Sequence, residues 1–150
     1  MAEVLFYHLS NSPLEASLPE LLERSLARGW RVIVRFGSAA GMAAIDGMLW
    51  TYREEAFLPH GTAAMGSAAL QPVYLTIGDE NPNDANVLML VDGARGSVRE
   101  MAGFERTCLI FDGQDERALE AARADWREVK AAGMEAKYWA QERGKWVQKG

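Results

Sequence analysis

Five short apolar runs punctuate the chain: Val4–Leu9, Arg31–Phe36, Val73–Ile77, Val87–Val91 and Thr107–Phe111. Runs of this length, rich in β-branched and aromatic residues, read as buried strands. Stretches of helical period follow the first, second and last of them. Strand, helix, strand, helix implies parallel pairing through crossover helices. The expected fold is a Rossmann-like three-layer α/β/α domain with a largely parallel five-stranded sheet. A chain of 150 residues is the size of one ordinary domain, taken as residues 1–150.

The helices can be placed by their caps and stripes. Ser12-Pro13-Leu14-Glu15 has the form of a capped start with proline in the first turn, and Leu14, Leu18, Leu21 and Leu22 supply an apolar stripe. Pro19 resists a helix interior, and Ser17-Leu18-Pro19-Glu20 offers the same chemistry one turn later. The main helix is therefore expected to begin near Ser17 and to stop at Gly29. A second helix starts at Ser38 and carries Met42, Ile45, Leu49 and Trp50. From Tyr52 to Gln71 no period is visible, which makes a long connection; a short helical piece falls around Val98–Met101. The last helix runs from about Gln114 to Ala132 and ends at Gly133.

A net charge of −5 weighs against a protein that grips nucleic acid by itself, since such binding needs many cations on phosphates. The one cysteine, Cys108, lies in the apolar run TCLIF and excludes both an intramolecular disulfide and a cysteine-built metal site. No apolar stretch approaches the ~20 residues that span a bilayer, and no basic leader precedes the first strand. The cytoplasm is the expected compartment.

The strand ends are where α/β sheets commonly bind nucleotides. After the second strand the chain reads GSAAGM, which has neither the Lys-Ser/Thr of a P-loop nor the GxGxxG spacing. The two histidines, His8 and His60, pair with no serine or cysteine in a recognised arrangement. Asp92-Gly93 and Asp112-Gly113 are accounted for as turns. No catalytic residue, metal ligand or cofactor is expected.

The last helix carries a different signal. Leu119, Ala122, Trp126 and Val129 recur at intervals of three and four, and Arg123, Arg127 and Lys130 form a basic row beside them. Trp126 thus lies between apolar seam and positive charge. Periodicity alone describes equally an ordinary core tryptophan with a solvated basic face and a site for an anionic peptide with an apolar end.

Taken in order, EVLFYHL, Leu49-Trp50, FLPHG at Phe57–Gly61, VLMLVDGA at Val87–Ala94, FERTCLIFDG at Phe104–Gly113 and the carboxyl-terminal third resemble the chi accessory subunit of bacterial DNA polymerase III. The resemblance implies a non-catalytic subunit that links the clamp-loader complex to single-stranded-DNA-binding protein during replication. It further implies that the acidic carboxyl-terminal tail of that protein docks on the last helix. Arg123, Trp126 and Arg127 match this site in position, with Trp126 replacing another aromatic, and Gly133 matches the turn beside it. Chi subunits can carry a lysine one turn earlier; Leu119 stands there instead, one charge fewer. Trp50 and Phe57, with Leu58 and Pro59, match the face that meets the psi subunit or a competing helicase.

The tail YWAQERGKWVQKG is dense in aromatic and basic residues. Such interleaving suits single-stranded nucleic acid. The preferred reading packs Tyr138 and Trp139 back beside the last helix, with Lys145 and Lys149 adding positive potential and DNA contact indirect or weak. The rival reading of the whole chain is a small nucleotide- or metal-dependent enzyme on the same scaffold.

Overall fold

A computed structural model describes residues 2–10, 13–51, 61–62, 71–143 and 145–150. In chain order the elements are β1 (Glu3–Leu9), α1 (Leu14–Ala27), β2 (Val32–Arg35), α2 (Ala39–Thr51), β3 (Gly61–Thr62), β4 (Val73–Thr76), β5 (Val87–Leu90), α3 (Val98–Ala102), β6 (Arg106–Asp112), α4 (Glu116–Ala131), β7 (Glu135–Glu142) and β8 (Lys145–Gln148). They build one sheet of order β3-β4-β2-β5-β6-β1-β7-β8, parallel throughout except for the antiparallel β7–β8 pair.

The three-layer architecture is borne out. Alternation along each strand sends its side chains to two separate cores. Leu5, Tyr7 and Leu9 of β1 join Leu18, Leu21 and Leu22 of α1 and Ile45 and Leu49 of α2 on one face. Val4 and Phe6 join Met101 of α3 and Ala122 and Val129 of α4 on the other. Each fully buried aliphatic or aromatic side chain contributes roughly 1.5–3 kcal/mol by leaving water, so both cores are needed to hold the sheet. Cys108 is 2% exposed within the first core, and burial pushes its thiol up to about 12, which makes it an inert packing group.

Three expectations need correction. The sheet has eight strands, not five: the short β3 and the hairpin β7–β8 extend it at its two edges. Of the two aromatics expected beside the last helix, Tyr138 packs there, against Trp126, and Trp139 does not. Period-two alternation in β7 sends Tyr138 to the α4 face and Trp139 to the α1 face, where Trp139 and Trp146 pack against the first core. Finally, α1 starts at Leu14, directly after Pro13, and runs through Pro19. Proline can donate no bond to the Glu15 carbonyl, but Glu15 is exposed and water can serve it, while the Pro19 ring is buried with its neighbours Leu18 and Leu21.

Candidate functional site

Helix α4 begins on Asp115, whose carboxylate accepts from the backbone N–H of Arg117 at 3.0 Å and of Ala118 at 3.5 Å. It ends on Gly133 at φ +76°, where the Gly133 N–H donates to the Lys130 carbonyl at 3.1 Å and the Met134 N–H to the Val129 carbonyl at 3.2 Å. This paired closure needs a left-handed residue, so helix termination accounts for Gly133. Between these ends the seam is as the spacing predicted at Ala122 and Val129, both buried, while Leu119 and Trp126 are half-buried. Arg123, Arg127 and Lys130 are exposed beside them.

One member of the stripe escaped the sequence reading. Asp125 lies at i+3 from Ala122 and i−4 from Val129, is 5% exposed, and meets the Arg95 guanidinium at 2.6 Å. Burial raises its carboxyl pKa, with Arg95 opposing and Glu128 adding to the rise. Its position inside the stripe was visible; its partner, 30 residues earlier in a turn, was not.

Trp126 rests on an aromatic floor that β1, β6 and β7 supply. Its ring stands edge-on to Phe6 at 5.3 Å and to Tyr138 at 6.0 Å, and the Lys130 ammonium lies 5.7 Å from its centroid. Tyr138 stacks on Phe6 at 6.4 Å, and its hydroxyl lies 2.7 Å from Nδ1 of His8. Burial lowers the His8 pKa, against the pull of Asp112, and raises that of Tyr138, against the pull of Arg123. A neutral imidazole accepting the phenolic proton fits both shifts. Phe111 closes the cluster 5.3 Å from His8. His8 is thus a buttress: a β-carbon at Gly113 would run into its ring.

Among the described residues neither Arg123 nor Arg127 is in a salt bridge. Two unclaimed guanidiniums flank a half-buried indole, an arrangement that can hold carboxylates by paired hydrogen bonds and an apolar side chain by contact. Leu119 extends the apolar side one turn toward the amino end of the helix.

At the carboxyl ends of the strands a crevice of about 910 Å³ opens between β1, β2, β5 and β6. In doubly wound sheets this is where nucleotides lie, on helix amino termini. Here the chain fills those positions itself. The Asp92 carboxylate accepts from the Ser38 hydroxyl at 2.7 Å, and that hydroxyl accepts from the Gly41 N–H at 3.0 Å, so a side-chain anion already sits at the start of α2. Gly37 and Gly41 allow this approach, because β-carbons there would collide with the Asp92 backbone and carboxylate. The glycines of GSAAGM are accounted for by packing, and Asp115 occupies the start of α4 in the same way.

Of the second predicted surface, Trp50 falls in the last turn of α2, and Phe57, Leu58 and Pro59 lie outside the described residues, as does His60. No helix among the described residues is long and apolar enough to cross a membrane.

Fold and site together define an α/β scaffold whose α4–β7 face carries exposed cations beside half-buried aromatic rings. A family model described as "DNA polymerase III chi subunit, HolC" matches residues 1–137, and the chain belongs to that family, an accessory rather than a catalytic subunit of the polymerase. It is 29% identical over 91 residues to the "Probable DNA polymerase III subunit chi" of Rickettsia prowazekii (strain Madrid E), 61% of this chain and 55% of that protein. It is 32% identical over 92 residues to the "DNA polymerase III subunit chi" of Pseudomonas aeruginosa, 59% of this chain and 63% of that protein. The matches thus span less than two thirds of either relative's length.

Proposed function

We propose that this chain, as one chi-type domain over residues 1–150, is a non-catalytic adaptor of DNA replication. Its α4–β7 face takes the acidic carboxyl-terminal tail of single-stranded-DNA-binding protein, and a second contact joins it to the clamp-loader complex. The observation that carries this reading is the pair of exposed guanidiniums, Arg123 and Arg127, left without a carboxylate beside the half-buried Trp126. A tail carboxylate pairs with Arg123 or Arg127, and an apolar tail residue lies on Trp126 and Leu119. Gly133 ends the helix about one and a half turns beyond Trp126 and turns the chain toward β7. The cytoplasm is the compartment this role requires, and contact with DNA is indirect.

Titration of a fluorescent peptide carrying the acidic tail should give saturable binding on the order of micromolar, because a mobile tail must be ordered on docking. A hydrogen bond to a charged group contributes about 1.5–3 kcal/mol, so Arg123→Ala should weaken binding roughly 10- to 100-fold with an unchanged melting temperature. Equal affinities for the two proteins would remove Arg123 from the site and the reading with it.

The second contact is assigned to Trp50, Phe57, Leu58 and Pro59, facing a psi subunit or a helicase; family membership and the dominance of aromatics in interface energies support it. Trp50→Ala and Phe57→Ala should each lower affinity for psi or the helicase at least tenfold and leave tail binding alone. Retention of psi and helicase binding by both folded variants would refute the assignment.

A further inference from the structure

The family match ends at residue 137, yet the wall of the Trp126 site continues beyond it. Past β8 the chain stays paired with β7: the Tyr138 N–H donates to the Gly150 carbonyl at 3.1 Å, and the Lys149 N–H donates to the Tyr138 carbonyl at 2.6 Å. This rung brings the Gly150 backbone over the α4 face of the sheet. A β-carbon at residue 150 would lie 3.6 Å from Cη2 and 3.8 Å from Cζ2 of Trp126, and 3.6 Å from Cβ of Tyr138. These are ordinary van der Waals distances, so one methyl fits there. Any longer side chain would have to lie along the benzo edge of the indole or turn out to solvent, and burial against two aromatic rings favours the former.

We propose that Gly150 is a specificity-determining residue of the tail site: its backbone forms one wall of a notch whose other walls are Trp126 and Tyr138, and its missing side chain leaves the indole edge open to the apolar residue of an acidic peptide. The inference rests on the adaptor reading for the identity of the occupant. Charge complementarity supports that choice, since Arg123, Arg127 and Lys130 are exposed on α4 at the positions neighbouring Trp126 and the Lys130 ammonium already approaches the indole. The notch itself follows from the geometry of residues 126, 138 and 150. Residue 150 lies outside the left-handed region, so a side chain there adds no backbone strain.

The test compares the full chain with Gly150→Ala and Gly150→Leu. Two readouts are used: affinity for the fluorescent acidic-tail peptide, and exposure of the Trp126 indole resonances, assigned with Trp126→Phe, to a soluble paramagnetic agent. Gly150→Leu should lower peptide affinity at least tenfold and shield the Trp126 resonances, with Gly150→Ala close to wild type and melting temperatures unchanged. Equal affinity and equal indole exposure in wild type and Gly150→Leu would overturn the proposal while leaving the adaptor reading intact. If the wild type fails to bind the peptide, the adaptor reading falls, and the paramagnetic measurement still decides whether residue 150 gates the indole. Loss of affinity in Gly150→Ala as large as in Gly150→Leu would also overturn it, because one methyl fits the notch.

Discussion

Phe6→Ala should destabilise the protein by about 3–5 kcal/mol, the range for removing a fully buried phenylalanine ring. For a chain of this size that lowers Tm by roughly 6–20 °C. Phe6 is 0% exposed in the interior strand β1, edge-on to Trp126 and stacked with Tyr138. Its loss opens a void under Trp126 and Tyr138, two walls of the proposed tail site. Peptide affinity should fall along with stability, even at temperatures where the variant is fully folded, because Trp126 then drops toward the cavity. Phe6→Leu, which leaves a smaller void, should lose less of both. Urea melts of the two variants measure the first effect and peptide titration the second. A loss below about 1 kcal/mol for Phe6→Ala would mean that the neighbouring rings collapse to fill the space and that Phe6 does not support the site.

The second large effect is expected at Gly37. A β-carbon there would overlap the Asp92 carbonyl oxygen and lie 3.2 Å from its carbon and 3.3 Å from the Ala94 nitrogen, all backbone atoms that cannot rotate away. Gly37→Ala should therefore cost at least the 1–3 kcal/mol typical of overpacking. It should also part Ser38 from Asp92 and expose the start of α2. Gly47, ten residues on and inside the same helix, makes the control. A β-carbon there meets nothing within 4 Å among the described residues, so Gly47→Ala should stabilise by about 0.5–1 kcal/mol through helix propensity. Opposite signs for two Gly→Ala changes in one segment would show that GSAAGM is shaped by packing against the Asp92 turn. Destabilisation by both would contradict it.

The glycine comparison also explains why the rival enzyme reading finds so little support. A crevice at the strand ends is a consequence of helices leaving to opposite faces of the sheet, and it forms with or without a ligand. Here the chain's own Asp92 and Asp115 sit where phosphates would. Among the described residues Arg123 and Arg127 hold no carboxylate of the chain's own.

Local pattern alone determined much of this protein. Apolar runs of five or six residues placed β1, β2, β4, β5 and β6, because burial on both faces of a parallel sheet leaves a continuous apolar signature. Interval-three-and-four spacing placed the seam and basic row of α4, and glycine at 133 its end, since both depend on the geometry of one helix. Tertiary structure decided the rest. The aromatic tail is half-exposed on both sides, so β7 carries no apolar run, and only its pairing with β1 makes it a strand that divides Tyr138 from Trp139. Likewise, nothing local joins His8 to Tyr138, Arg95 to Asp125 or Gly150 to Trp126, pairs that stand 130, 30 and 24 residues apart: the first meets because β7 lies beside β1, the second because α4 packs on β6, the neighbour of β5, and the third because α4 also packs on β7. Periodicity reports which way a side chain points within its own element. What it meets there depends on the order of strands in the sheet.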